Sequence, residues 1–143
     1  MISLIHCGNA HALADILGNG ISGRVRFSQQ ADGVLVTAQL IGLPRNGFFA
    51  FHIHKGQSCS GAGFPNTFGH FNPTGAPHPD HAGDLPPLLS CDGSAYLSCL
   101  TNRFSLEDVL GRTVVVHSGT DDFRTQPAGN PGEKLACGII RKC

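Results

Sequence analysis

Six imidazoles, at His52, His54, His70, His78, His81 and His117, fall in settings that suit metal chemistry. His52 and His54 stand two residues apart in Phe48-Phe49-Ala50-Phe51-His52-Ile53-His54, an apolar and aromatic run that reads as a strand. The two-residue period puts both rings on one face and Phe49, Phe51 and Ile53 on the other, so the two imidazoles can point at one ion. His70, His78 and His81 lie between Gly69 and Asp84, a stretch too rich in Pro and Gly for a helix or a central strand. A loop that concentrates metal-capable groups can be organised by the ion it binds. Three histidines and one carboxylate make a four-coordinate set suited to zinc. Asp84 is the better carboxylate, because it and His81 can meet one ion across the Ala82-Gly83 turn, and Asp80 is left to solvent. His117 ends the β-branched run Thr113-Val114-Val115-Val116 and can join His52 and His54 only through the fold. His6 and His11 read as surface side chains.

The elements that must position these groups are mostly strands. Ala12 to Leu17 is a short first strand after a loose lead-in (residues 1–9). Gly23 to Ser28 alternates, with Val25 and Phe27 facing the core and Arg24 and Arg26 facing water. Asp32-Gly33 supplies a hairpin turn, and Val34 to Leu43 returns with Val34, Val36, Ala38 and Leu40 inward. The histidine strand then spans Phe48 to Lys55. The connection from Gly56 to Leu89 is long enough to demand a function. Gly93 to Leu100 is the next strand, Phe104 to Leu106 a short one, and Glu107 to Leu110 a helical turn. Thr113 to His117 and Leu135 to Ile140 form a late pair, separated by a polar loop.

The composition narrows the class. Of 143 residues, 19 are Gly and 9 are Pro, and 41% are hydrophobic, which describes one loop-rich β domain (1–143) with a real core. Ten basic side chains balance ten acidic ones, so nothing argues for nucleic acid, and no apolar run is long enough to cross a bilayer. Gly/Pro-punctuated strands suit an antiparallel sandwich or barrel.

Read in order, Gly47–His54, Gly69–Pro73, His78–Leu85, Gly111–Asp122 and Leu135–Ile139 resemble the copper–zinc superoxide dismutase family. The resemblance implies an all-β, flattened eight-stranded Greek-key antiparallel barrel with two long functional loops. It further implies copper on His52, His54 and His117, with His70 bridging copper and zinc. His78, His81 and Asp84 would complete the zinc site. Superoxide would be converted to oxygen and hydrogen peroxide by alternating Cu(II) and Cu(I), with the copper side of His70 releasing and taking a proton. Asp121 resembles an aspartate that accepts hydrogen bonds from His52 and His78 together and ties the two sites. A turn or capping role is the alternative, and Asp122 suits it as well. Cys59 and the Gly83–Leu88 run look closer to bacterial members.

Two departures stand out. Only two residues separate His78 from His81, so part of the zinc loop is short. Lys134 stands where the family has arginine, keeping the charge that attracts superoxide but losing the planar fork. Arg124 is a second candidate for that field. The resemblance also pairs Cys59 with Cys137. Cys7, Cys91, Cys99 and Cys143 have no family role: Cys91 and Cys99 could pair across a turn, and the terminal Cys143 reads as an exposed, reactive thiol. The start lacks the pattern of a secretory signal, so a cytoplasmic location is expected, or a secreted or periplasmic one if a leader is missing. A monomer or weak homodimer is expected. Three other functions compete: copper binding or delivery, a zinc-stabilised structural domain, and a zinc hydrolase, the last disfavoured because four protein ligands leave no place for an attacking water.

Overall fold

In the computed structural model, which describes residues 11–143, apolar alternation builds most of the barrel. β1 (His11–Gly18), β2 (Ile21–Gln30) and β3 (Gly33–Ile41) form an antiparallel meander. Val25 and Phe27 from β2, and Val34, Val36, Ala38 and Leu40 from β3, are buried on the shared inner face. Each fully buried side chain of valine size or larger contributes roughly 1.5–3 kcal/mol of transfer free energy. Outside, Arg24 pairs with Asp15 at 2.9 Å. His11, expected at the surface, is half-buried and within 2.9 Å of Arg26 Nη2. The expected lead-in, with His6 and Cys7, lies outside the described residues.

The Phe48–Lys55 strand is in fact two strands. β4 (Asn46–Phe49) pairs with β6 (Leu88–Cys91) in a two-stranded sheet, and β5 (Phe51–His54) pairs with β8 (Thr113–His117). At the break, Ala50 exchanges backbone hydrogen bonds with two late residues instead. Its N–H donates to Gly119 O at 2.9 Å, and its carbonyl accepts from His117 N at 2.9 Å. The chain thus changes sheets without orphaning buried polar groups.

The eight-stranded antiparallel sheet runs β5-β8-β9-β1-β2-β3-β7, with β9 at Lys134–Ile139 and β7 at Ala95–Thr101. The short β10 (Arg141–Lys142) adds to β1. The sheet curls into the flattened Greek-key barrel, and β6 of the small sheet lies near β7. Within the long connection after β5, only a 3₁₀ turn at Pro65–Thr67 precedes β6.

The expected strand at Phe104–Leu106 is instead the entry to helix α1 (Leu106–Val109). Ser105 and Asp108 form a capping box that satisfies the helix's first backbone donors. Cys59 and Cys137 are disulfide-bonded, with Cα atoms 5.8 Å apart. Closing a loop of this length contributes about 4–5 kcal/mol in the chain-entropy treatment. Cys143 is also disulfide-bonded, so it is not the exposed thiol that the sequence suggested. Cys91 and Cys99 are both free thiols.

Candidate metal centre

Barrel geometry delivers three of the six clustered histidines. His52 and His54 project from the same face of β5, which pairs Phe51 with Val116 and His52 with Val115 of β8. His117 is the last residue of β8, where a bulge pairs it with Lys134 while Val116 pairs with Ala136. Such a bulge re-aims the terminal side chain. All three rings are buried, with centroids of His52 and His54 at 5.0 and 5.2 Å from that of His117.

The loop reaches β5 through backbone pairing. Ile53 donates to Gly83 O at 2.8 Å and accepts from Phe71 N at 2.8 Å, while Gly83 N donates to Phe71 O at 2.9 Å. Residues 70–71 and 83–85 therefore lie against the histidine strand. Glycine is required at 83, because a Cβ there would sit 2.3 Å from Ile53 O. This pairing sets His70 beside His52, with ring centroids 4.0 Å apart.

Two clusters result, and His70 belongs to both. His52, His54, His70 and His117 bring one ring nitrogen each within 4.8 Å of one another, as do the donor atoms of His70, His78, His81 and Asp84. In the second cluster His70 Nδ1 is 2.9 Å from Asp84 Oδ1 and 3.1 Å from His81 Nδ1. His81 Nδ1 and His78 Nδ1 lie 3.2 and 3.1 Å from Asp84 Oδ2. His78 Nδ1 is near enough to Asp84 for attraction but lacks hydrogen-bond geometry.

The donor chemistry calls for cations. His52 Nδ1, His70 Nε2, His78 Nδ1 and His117 Nδ1 are buried without a hydrogen-bond partner. Each such orphan costs about 1–3 kcal/mol. His54 Nε2 faces His117 Nε2 at 3.1 Å, nitrogen against nitrogen. Protons do not resolve this crowding. Burial drives the His52 pKa down to about 2 and that of His117 to about 3, with neighbouring histidines adding to the effect. Burial likewise holds His54 and His81 below their ordinary value. Burial works to raise the Asp84 pKa, but hydrogen bonding and charge from the surrounding histidines outweigh it and keep the group a carboxylate. Neutral imidazole lone pairs facing one another, beside an anion, are a metal-ligand set. Four imidazoles suit copper, and three imidazoles with one carboxylate suit zinc.

Asp121 joins the clusters from below. Its Oδ2 is 2.8 Å from His52 Nε2 and its Oδ1 is 2.7 Å from His78 Nε2, leaving the Nδ1 atom of each ring for a metal. Asp122 takes the turn role, accepting from Arg124 N and Thr125 N, each at 2.8 Å, and from the Thr125 hydroxyl. Those bonds, the hydroxyl's first, lower its pKa to about 2.

Two partners of this arrangement were not foreseen from the sequence. At Gly129, with φ +81°, a Cβ would lie 2.1 Å from Asp121 Oδ1 and 2.5 Å from His78 Nε2. Gln126 clamps the His78 backbone: its Oε1 accepts from His78 N at 2.8 Å and its Nε2 donates to His78 O at 2.7 Å. Glycine and glutamine in a polar loop carry no sequence signal for these contacts.

The copper-type cluster opens to solvent through a cleft of about 660 Å³, lined by His54, His70, His117 and Lys134 among others. Lys134 is not a freely swinging cation. Its Nζ donates to Thr67 Oγ1 at 2.7 Å, Phe68 O at 3.1 Å and Phe64 O at 3.4 Å, so all three ammonium hydrogens hold the disulfide loop. Burial lowers its pKa. Arg124 does not line this cleft, whereas Arg112 and Lys55 do, a contribution that sequence reading missed. Arg112 Nη1 donates to Lys55 O at 2.8 Å, and its guanidinium lies 5.3 Å from the Phe71 ring centroid.

Barrel, paired donor clusters and shared histidine together define a two-metal protein of the copper–zinc type. Residues 21–140 match the copper/zinc superoxide dismutase family, and the chain belongs to it. It is 36% identical over 147 residues to superoxide dismutase [Cu-Zn] 2 of Aquifex aeolicus, covering 92% of this chain and 86% of that one. It is 35% identical over 127 residues to the Legionella pneumophila superoxide dismutase [Cu-Zn], covering 83% and 77% respectively. Among solved structures it is similar to the clock protein EA4, with a TM-score of 0.83, 31% identity and 97% and 100% of the two chains covered. The chain is thus an enzyme, a superoxide dismutase using copper and zinc. No helix among the described residues is long and apolar enough to cross a membrane.

Proposed function

We propose that His70 and Lys134 carry the finer steps of superoxide dismutation in this chain, which we place nearer to bacterial than to animal members of the family. In the overall reaction, two superoxide anions and two protons give one oxygen and one hydrogen peroxide. Copper, when bound, supplies the one-electron chemistry by alternating between Cu(II) and Cu(I), and zinc supplies a fixed charge. The chain's residues do the rest. His70 presents Nε2 to the copper-type cluster and Nδ1 to Asp84, so Nε2 is the atom at which a proton is taken up and passed on. Asp84 and His81 keep that ring oriented while Nε2 works. Lys134 adds a positive charge to the wall of the cleft through which the anion arrives, and Arg112 and Lys55 extend the field at the rim.

One observation carries this reading: a single ring is shared by both clusters. The test is to load purified protein with both metals and quantify each per chain. Superoxide consumption is then compared between wild type and His117→Ala. The expected result is one copper and one zinc per chain in wild type, with turnover lost in the variant. Equal turnover would reject the assigned copper chemistry. Full copper binding without turnover in wild type would favour the delivery reading.

A further inference from the structure

The zinc-type cluster has its own solvent cleft, of about 340 Å³, reached by Asp84 and Asp121 and edged by Pro79 and Arg103. Arg103 belongs to none of the donor sets. It follows β7, and its guanidinium spans to the short segment between two zinc-type donors. Arg103 Nη1 donates to Pro79 O at 2.8 Å and to His81 O at 3.2 Å, and Nη2 lies 3.6 Å from Asp80 Oδ1. The exposed Asp80 pair contributes little by itself. The two carbonyl bonds matter more, because they fix the backbone on which His81 is carried.

This contact sits where the chain is most economical. With two residues between His78 and His81, the segment has little internal structure: Asp80 N bonds to Pro77 O at 2.8 Å and Asp84 N to His81 O at 3.1 Å. Gln126 anchors its start at His78. Across its far end, Arg103 provides the side-chain tie to the barrel.

We propose that Arg103 is a positioning residue for zinc, a latch that holds the Pro79–His81 backbone and so sets how slowly zinc leaves. The inference rests on the zinc assignment of His70, His78, His81 and Asp84. The latch touches no atom of the copper-type cluster, so zinc is the metal it acts on directly.

The test uses protein loaded with both metals and follows release of each to a colorimetric chelator by stopped flow, with wild type, Arg103→Met and Arg103→Lys. Loss of two charge-assisted bonds predicts zinc release faster by about tenfold or more in Arg103→Met. Arg103→Lys, which keeps the charge and can reach one carbonyl, should fall between. Copper release should quicken far less than zinc release, and the unfolding midpoint of the metal-free protein should stay close to wild type. Zinc release equal to wild type in Arg103→Met would overturn the proposal, as would equal acceleration of both metals. Asp84→Ala distinguishes the two assignments: if it leaves zinc stoichiometry and release untouched, the zinc site itself is misassigned, whatever Arg103 does.

Discussion

The two halves of the metal centre are built in different ways. Three of the four copper-type donors stand on paired strands, with His52 and His54 on β5 and His117 at the end of β8, so the barrel core fixes their backbones. All four zinc-type donors lie in the loop from 69 to 84, which is held by short-range turns, the backbone pairing to Ile53, Gln126 and Arg103. The barrel therefore preorganises one site, while the other depends on individual polar contacts and on the ion itself. Asp121 crosses between them, so each half can feel the other's loss.

The largest effect should come from Asp84→Ala. It removes a ligand from the loop-borne half, and zinc affinity should fall by more than the roughly 10–100-fold typical of an outer hydrogen-bond partner. Competitive chelator titration of both metals checks this; copper leaving before zinc would break the comparison. Next, Asp121→Ala removes the partner of both His52 and His78, and about a 10–100-fold loss of affinity is expected. Because the strand holds His52 and only a loop holds His78, the zinc side should suffer more. Equal losses at the two sites in the same titration would mean that strand placement confers no advantage.

A smaller effect, severalfold, is expected for Lys134→Ala. The second-order rate of superoxide consumption should fall at low ionic strength, and its decline with added salt should flatten, with copper retained. Stopped-flow rates over a salt series decide it, since identical slopes would leave Lys134 only its tether to residues 64–68.

Acid acts on the metal-free fold itself. The folded pKa values of His52 and His117, about 2 and about 3, lie below the ordinary 6.5. Between those limits the unfolded chain binds more protons than the folded one, so acid favours unfolding. Metal-free protein should keep these contributions in full above pH about 6.5 and lose them as pH falls toward 3. Denaturant midpoints measured across that range should drop with acid, and a flat profile would contradict the burial argument.

Much of this was readable in the chain because its signals are chemical or periodic. Histidine and aspartate are metal donors wherever they occur, and the alternation of Val34, Val36, Ala38 and Leu40 marks an inner face without reference to any partner. Contacts made across the fold were not readable. Gln126 on His78 and Arg103 on His81 join residues far apart in sequence through ordinary side chains, and Gly129 fits against His78 and Asp121 only because it lacks a Cβ. The break at Ala50 was hidden because Phe49 and Phe51 both look like strand residues, and only pairing with different partners separates β4 from β5. The start of α1 was legible, since Ser105 and Asp108 have the spacing of a capping box, but the apolar Phe104–Leu106 pattern pointed to a strand.

The most direct measurement is a crystal structure of the oxidised protein loaded with both metals, each ion identified by anomalous scattering at its own absorption edge. The expected result is one imidazole, that of His70, with Nε2 on copper and Nδ1 on zinc, and with His52, His54 and His117 completing the copper shell. A His70 ring touching a single ion, or copper seated among His78, His81 and Asp84, would contradict it.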